Sequence, residues 1–193
     1  MALHPHDSPD LRKARGAFFT PEAVARYVTE WAIRKPSDRV LEPSCGEAVF
    51  LLEAGARLAE LGAPTGLRGH LHGAELHAHS ADMARHLLHA AGHEAKIAVG
   101  DFLRSEPEAA YDAVIGNPPY VRYQAFAGET RAAAQRAALR AGVTLTSLAS
   151  SWAAFTVHSA LHVREGGRLG LVLPAEILTV NYAAPVREFL MKA

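Results

Sequence analysis

Asn117, Pro118 and Tyr120 are the residues in this 193-residue chain whose types and spacing point most directly to chemistry. They follow an apolar run, Ala113-Val114-Ile115, introduced by Tyr111-Asp112 and ended by Gly116. The Asn117 side-chain carbonyl and the Pro118 backbone carbonyl are hydrogen-bond acceptors, and Tyr120 offers a flat face for stacking. Together they suit a planar amine. Two acceptors hold an exocyclic NH2 group while its ring lies on the tyrosine, and the nitrogen lone pair is left to meet an electrophile without a strong base. Pro118 and Pro119 fix their φ angles and donate no backbone hydrogen bond, so the strand stops there and the loop is stiff. The same residue types also suit an ordinary strand-ending turn.

Acidic residues mark three further strand ends. Val40-Leu41-Glu42 leads into the small-residue turn Pro43-Ser44-Cys45-Gly46, where a ligand can approach the backbone closely. Ala48 stands where a second glycine would strengthen that reading, and a simple strand-to-helix connection fits the turn as well. Glu75 ends the second strand, positioned to accept from both hydroxyls of a ribose. Asp101-Phe102 follows Gly100 at the end of the third, and an Asp accepting from an adenine amine beside a Phe stacked on the ring completes an adenosine pocket. Each acid alone suits a surface or capping position; three successive strands ending in one form a pattern.

These side chains need a scaffold that brings strand ends to one rim. The spacing predicts a helix over 21–34, with Thr20 as its N-cap, Pro21 at its first position, and Val24, Val28, Trp31 and Ala32 on its apolar face. Phe18-Phe19 before it suits a hydrophobic staple. A helix follows the first strand to about residue 61. The pattern then predicts strand 69–76, helix 78–92 and strand 96–99. After the Asn-Pro-Pro-Tyr loop come a helix within 124–146 ended by Gly142, a helix over 149–163 ended by Gly166-Gly167, strand 168–173 and a helix over 186–191. Five strands alternating with helices define an α/β fold with a doubly wound, mainly parallel sheet. Residues 1–15, polar and containing Pro5 and Pro9, read as a flexible lead-in to one domain over 16–193.

Composition sets the bounds. A hydrophobic content of 49% with 21% charged residues suits one well-buried core. Cys45 is the single cysteine, which excludes an internal disulfide framework. No apolar run approaches the roughly 20 residues that span a bilayer, and the start of the chain does not resemble a signal peptide, so the expectation is a cytoplasmic protein without a membrane partner. Net charge is zero, but it is unevenly spread. Residues 10–35 carry six basic and three acidic side chains, residues 120–150 four and one, and residues 36–119 six and twelve. Basic charge therefore flanks the core, and Arg122, Arg131, Arg136 and Arg140 are candidate contacts to a polyanion, with a solvated helix surface as the plain alternative. His86, His89 and His93 fall at helical spacing, but no cysteine or carboxylate completes a ligand set, and the expectation is that no metal binds.

Phe18-Phe19-Thr20-Pro21, then Glu42-Pro43-Ser44-Cys45-Gly46, Glu75, Asp101-Phe102, Asn117-Pro118-Pro119-Tyr120 and Gly-Gly-Arg-Leu-Gly-Leu-Val-Leu-Pro over 166–174 form an ordered set. It resembles the gamma-class amino-methyltransferases of DNA, which make N6-methyladenine in restriction-modification and related phage-defence systems. The resemblance covers residues 15 to 190. It implies a Rossmann-like class I methyltransferase fold without its last strands, and S-adenosylmethionine as cofactor. Thr20 and Glu42 would then lie near the methionine portion beside Cys45 and Gly46, with Glu75 on the ribose, Asp101 on the adenine amine and Phe102 against its ring. Asn117 and Pro118 would bind the target amine of a flipped base, and Tyr120 would stack on it. Double-stranded DNA is the implied partner, with a specificity region or subunit supplied C-terminally or in trans. Val121-Arg122-Tyr123-Gln124 is similar to the larger fused restriction-methylation enzymes. Two features depart from the family: Ala48 replaces a usual glycine, and Ser150-Ser151-Trp152 replaces an acidic or amide residue, a leucine and an aromatic. A truncated, inactive cofactor- or partner-binding chain and a methyltransferase of protein glutamine or an RNA base are the alternative readings.

Overall fold

The chain winds outward from a short central strand, then returns and winds the other way. The computed structural model describes residues 20–121 and 128–192. Helix α1 (Glu22–Ala32) leads to β1 (Val40–Glu42), α2 (Val49–Glu60), β2 (Gly66–Glu75), α3 (Ala78–Ala90) and β3 (His93–Val99). A 3-10 turn at Phe102–Arg104 precedes β4 (Tyr111–Gly116), α4 (Gly128–Leu139), α5 (Ser151–His162), β5 (Val163–Leu171) and α6 (Ala184–Leu190). The sheet has the order β3-β2-β1-β4-β5 and every neighbouring pair is parallel. The direction of winding reverses between β1 and β4, which makes the crevice beyond their carboxyl ends the place where such sheets bind ligands.

Alternating side chains serve two cores. Val40, Ala113 and Ile115 face a layer built from Ala25 and Ala32 of α1, Phe50, Leu51 and Leu58 of α2, and Ala81 and Leu88 of α3. Leu41 and Val114 face the opposite layer, with Ala134 of α4, Trp152 and Phe155 of α5, and Val186 of α6. A strand buried on both faces reads as a continuous apolar run, as β1 and β4 do.

Several local expectations change. Pro21, not Thr20, is the N-cap of α1, and no side chain caps that helix. The face of α1 turned to the core is Ala25, Thr29 and Ala32, while Val24 and Trp31 are exposed. Val28 packs on β5 as well, where the missing side chain of Gly170 makes room for it: a Cβ at 170 would come within 2.7 Å of Val28 Cγ1 and 3.8 Å of the Trp31 ring. Gly166 and Gly167 do not end α5. They lie within β5, where pairing with β4 slips in register between Tyr111 and Ala113. Glycine is required at 167 because a Cβ there would stand 2.9 Å from the Asp112 carbonyl oxygen. His93 opens β3 and is not on α3, so the helical spacing with His86 and His89 does not exist; its ring lies over Gly55. The lead-in, the Phe18-Phe19 pair and Arg122 lie outside the described residues.

Candidate active site

Asn117 stands just beyond β4, beside the end of β1. Gly116 has φ at 156°, a backbone conformation that residues with a side chain rarely adopt. The Asn117 amide is half satisfied. Its Nδ2 donates to Thr20 Oγ1 at 3.0 Å, and its Oδ1 is buried with no hydrogen-bond partner among the described residues. A buried carbonyl without a donor is costly, so it marks a place where a donor belongs.

The rest of the loop is held from α5. Ser151 Oγ donates to the Pro119 carbonyl and accepts from Val121 N at 2.8 Å, while Ser151 N donates to Val121 O at 3.0 Å. Ser151 is buried, so these bonds form out of water. Tyr120 is half-buried and its hydroxyl donates to Val172 O at 2.7 Å; burial pushes its pKa up to about 12, which keeps it neutral. Ring orientation is thus fixed at both ends of the side chain. Ser151 was visible in the sequence only as a departure from the family pattern, and the structure shows what the exchanged residue does.

The cofactor side of the rim is contiguous with this loop. Cys45 N donates to Ala74 O at 2.9 Å and Gly100 N to Glu75 O at 2.8 Å, which ties the ends of β1, β2 and β3 together. Glu75 is buried; its Oε2 accepts from Gly46 N at 3.0 Å and its Oε1 from His77 N at 2.9 Å. Gly46 and Ala48 both have left-handed backbone, with φ at 47° and 60°. At Ala48 that conformation costs roughly 1 kcal/mol that a glycine would not incur. Glu42 is buried and accepts from Leu51 N at 3.2 Å. Burial pushes its carboxyl well above the usual carboxylate range against that hydrogen bond, and Glu75 adds to the rise. The buried Cys45 thiol is likewise pushed up, by burial first and then by the two carboxylates, so it is no nucleophile.

Beyond the end of β3 lies a cavity of about 320 Å³ lined by Ala74, Ala98, Val99, Gly100, Asp101, Phe102, Arg104 and Ser105. Asp101 Oδ1 accepts from Leu103 N at 3.0 Å, and Oδ2 stands 3.6 Å from Arg104 Nε. The apolar walls, one carboxylate and one aromatic ring match what a purine with an exocyclic amine requires. Behind Phe102 stands a group the sequence reading missed. Phe155 stacks on the ring at 5.8 Å between centroids, and His158 and His162 pack on it at 4.8 and 5.0 Å. Ser105 Oγ lies 3.2 Å from His158 Nε2 and 3.4 Å from His162 Nε2. Both imidazoles are pushed down, by burial first, His158 to about 4.

Two of the arginine candidates have partners within the protein. Arg136 lies 3.8 Å from Glu129, which also meets Arg104 at 3.9 Å. Arg140 donates at 2.7 Å to both Ser105 O and Glu106 Oε1, so it braces the segment after Phe102. Arg131 lies on α4, whose buried face is Ala133, Ala134, Ala137 and Ala138.

Comparison with known proteins agrees with this geometry. The family model described as N-6 DNA Methylase matches residues 7–193. The Type II methyltransferase M.HincII of Haemophilus influenzae is 26% identical over 176 residues, which is 91% of this chain and 31% of the relative. Among solved structures, the DrdV-DNA complex aligns with a TM-score of 0.71 at 18% identity, covering 96% of this chain and 23% of that one. A Listeria monocytogenes protein assigned to the class I S-adenosylmethionine-dependent methyltransferases also aligns with a TM-score of 0.71, at 20% identity over 90% of this chain and 52% of its own. The structural likenesses establish a shared class I methyltransferase fold. The chain spans about a third of the length of the curated relatives M.HincII and M.XamI, at 31% and 33%.

Proposed function

The chain belongs to the N-6 DNA methylase family, and from that premise we propose that it forms the catalytic part of an enzyme that methylates the N6 amine of adenine in DNA, the base being turned out of the duplex into the Asn117–Tyr120 loop. The observation that carries this reading is the buried, unpartnered Oδ1 of Asn117. Oδ1 and the Pro118 carbonyl are the two acceptors for the amine hydrogens, and Tyr120 is the stacking face. An adenine amine is a poor nucleophile because its lone pair is shared with the ring. Two carbonyl acceptors on its hydrogens draw electron density back to nitrogen, and they strengthen as positive charge develops there, so they favour the transition state over the ground state. The stiff loop and its Ser151 clamp supply the orientation.

The residues at the rim fit S-adenosylmethionine: Asp101 and Phe102 for the adenine, Glu75 for the ribose, and Thr20, Glu42, Cys45 and Gly46 around the methionine portion. Bound there, the cofactor supplies an electrophilic methyl group. The walls beside it are apolar and the acids are held by backbone amides, so the pocket is shaped in advance. Double-stranded DNA is the proposed partner, reached through Arg122, Arg131, Arg136 and Arg140, with sequence reading supplied by a further region or subunit. Among the described residues no helix is long and apolar enough to cross a membrane, and the reading assigns the protein to the cytoplasm.

The test is transfer of labelled methyl from S-adenosylmethionine to duplex DNA by the full-length natural product, with N6-methyladenine identified by mass spectrometry. Asn117→Ala should remove most transfer while leaving cofactor affinity nearly unchanged. Tyr120→Ala should reduce the rate without abolishing it, since one stacked base is worth about 1 to 3 kcal/mol. Label appearing in protein or RNA and not in DNA would overturn the reading.

A further inference from the structure

A side-chain amide is chemically two-faced. Rotated by half a turn it fills the same space, but it offers two N–H donors where it offered a carbonyl. For a pocket that must receive an amine, which is itself a donor, the wrong face is repulsive. Something must therefore choose the orientation of Asn117.

The neighbour able to choose is Thr20. It precedes α1, it is buried, and its hydroxyl is not spent on capping that helix. Pro21, with φ at −59° and ψ at 137°, keeps the chain extended at this point, which leaves Thr20 outside the helix. The hydroxyl accepts from Asn117 Nδ2 at 3.0 Å, across 97 residues of sequence. That bond occupies the nitrogen end of the amide, and the oxygen end is the atom left buried without a partner.

We propose that Thr20 is a positioning residue for Asn117: by engaging Nδ2 it fixes the amide with Oδ1 toward the target amine. The proposal rests on the methyl-transfer reading given above and adds a role for Thr20 distinct from contact with the cofactor. Without the hydroxyl, Nδ2 would be buried and unsatisfied, and the amide would turn to seek another acceptor. Valine keeps the shape of threonine and removes the hydroxyl, whereas serine keeps the hydroxyl.

Two measurements test it. In methyl transfer by the full-length natural product, Thr20→Val should lower kcat about tenfold, the loss of one neutral hydrogen bond, with a smaller change in cofactor Kd. Thr20→Ser should recover most of that loss. Independently of activity, asparagine-selective ¹⁵N labelling of the same protein reports the side-chain amide directly. The Asn117 NH2 resonances, assigned by their loss in Asn117→Ala, should shift and exchange faster with solvent in Thr20→Val and return in Thr20→Ser. Asn117 resonances that superpose in parent and Thr20→Val overturn the proposal. So does a Thr20→Val variant whose cofactor affinity falls as far as its kcat, which would make Thr20 a cofactor ligand only. A parent that transfers no methyl to adenine overturns the methyl-transfer reading, while the resonances still decide whether Thr20 holds Asn117.

Discussion

Lowering the pH from 7 to 5 should destabilise this protein through His158, and replacing that histidine with glutamine should remove much of the effect. His158 is fully buried against Phe102, within 5.1 Å of His162 between centroids, and its Nδ1 has no partner among the described residues. Burial is the main cause that pushes its pKa down from 6.5 to about 4, and the positive charges of a protonated His162 and of Arg140 would add to it. The fold therefore holds the imidazole neutral, while the unfolded chain takes up a proton near pH 6.5. Stability from this group is fully present above about pH 6.5 and is lost as pH falls from there toward 4, because the unfolded state binds the extra proton. At pH 5 the unfolded imidazole is protonated and the folded one is still mostly neutral, a gap worth about 2 kcal/mol before screening and about 1 to 2 kcal/mol after it. Urea unfolding at the two pH values gives the assay. His158→Gln retains an amide donor near Ser105 but does not titrate, so the parent should lose about 1 to 2 kcal/mol more than the variant between pH 7 and 5. Equal losses in both proteins would refute the reasoning.

Two further outcomes follow from the cavity and from α4. Asp101→Ala should weaken S-adenosylmethionine binding by about 1 to 3 kcal/mol, and unchanged affinity by calorimetry would remove Asp101 from the cofactor site. Replacing Arg131 and Arg136 together should flatten the slope of log DNA affinity against log salt by about one to two units; an unchanged slope would assign both to solvated helix surface.

Much of the frame was legible because its signals are periodic. The apolar run before Asn117 and the acids at 42, 75 and 101 appear in sequence as strands with marked ends, and the structure gathers those ends on one rim. What escaped was set by pairs distant in sequence. Thr20 looks like a helix cap because caps are local, but its partner is Asn117. Gly166-Gly167 looks like a helix stop because glycine usually breaks helices; its reason is the Asp112 carbonyl on the adjoining strand. Val24 and Trp31 have helical spacing, yet the buried positions of α1 are Ala25, Thr29 and Ala32, and Val28 finds its room over Gly170 of the distant β5. The wall behind Phe102 was hidden because histidine at 158 and 162 carries no short motif, and only folding brings Ser105 to both rings.

Helix α5 has a consequence for how this molecule tolerates change. Ser151 at its first position grips the loop of Pro119 and Val121, and Phe155, His158 and His162 follow at intervals of four, three and four residues to press on Phe102. That single stripe makes α5 a ruler between the place for the target base and the place for the cofactor's purine, with seven residues giving about 10 Å from Ser151 to His158. A ruler can be repainted but not relengthened. The helix is buried on every side from Ser151 to Ser159, so substitutions off the stripe keep the calibration only where they conserve volume, whereas one residue inserted between Ser151 and His158 would swing the second half by about 100° and throw the two pockets out of phase, although no residue in either had changed.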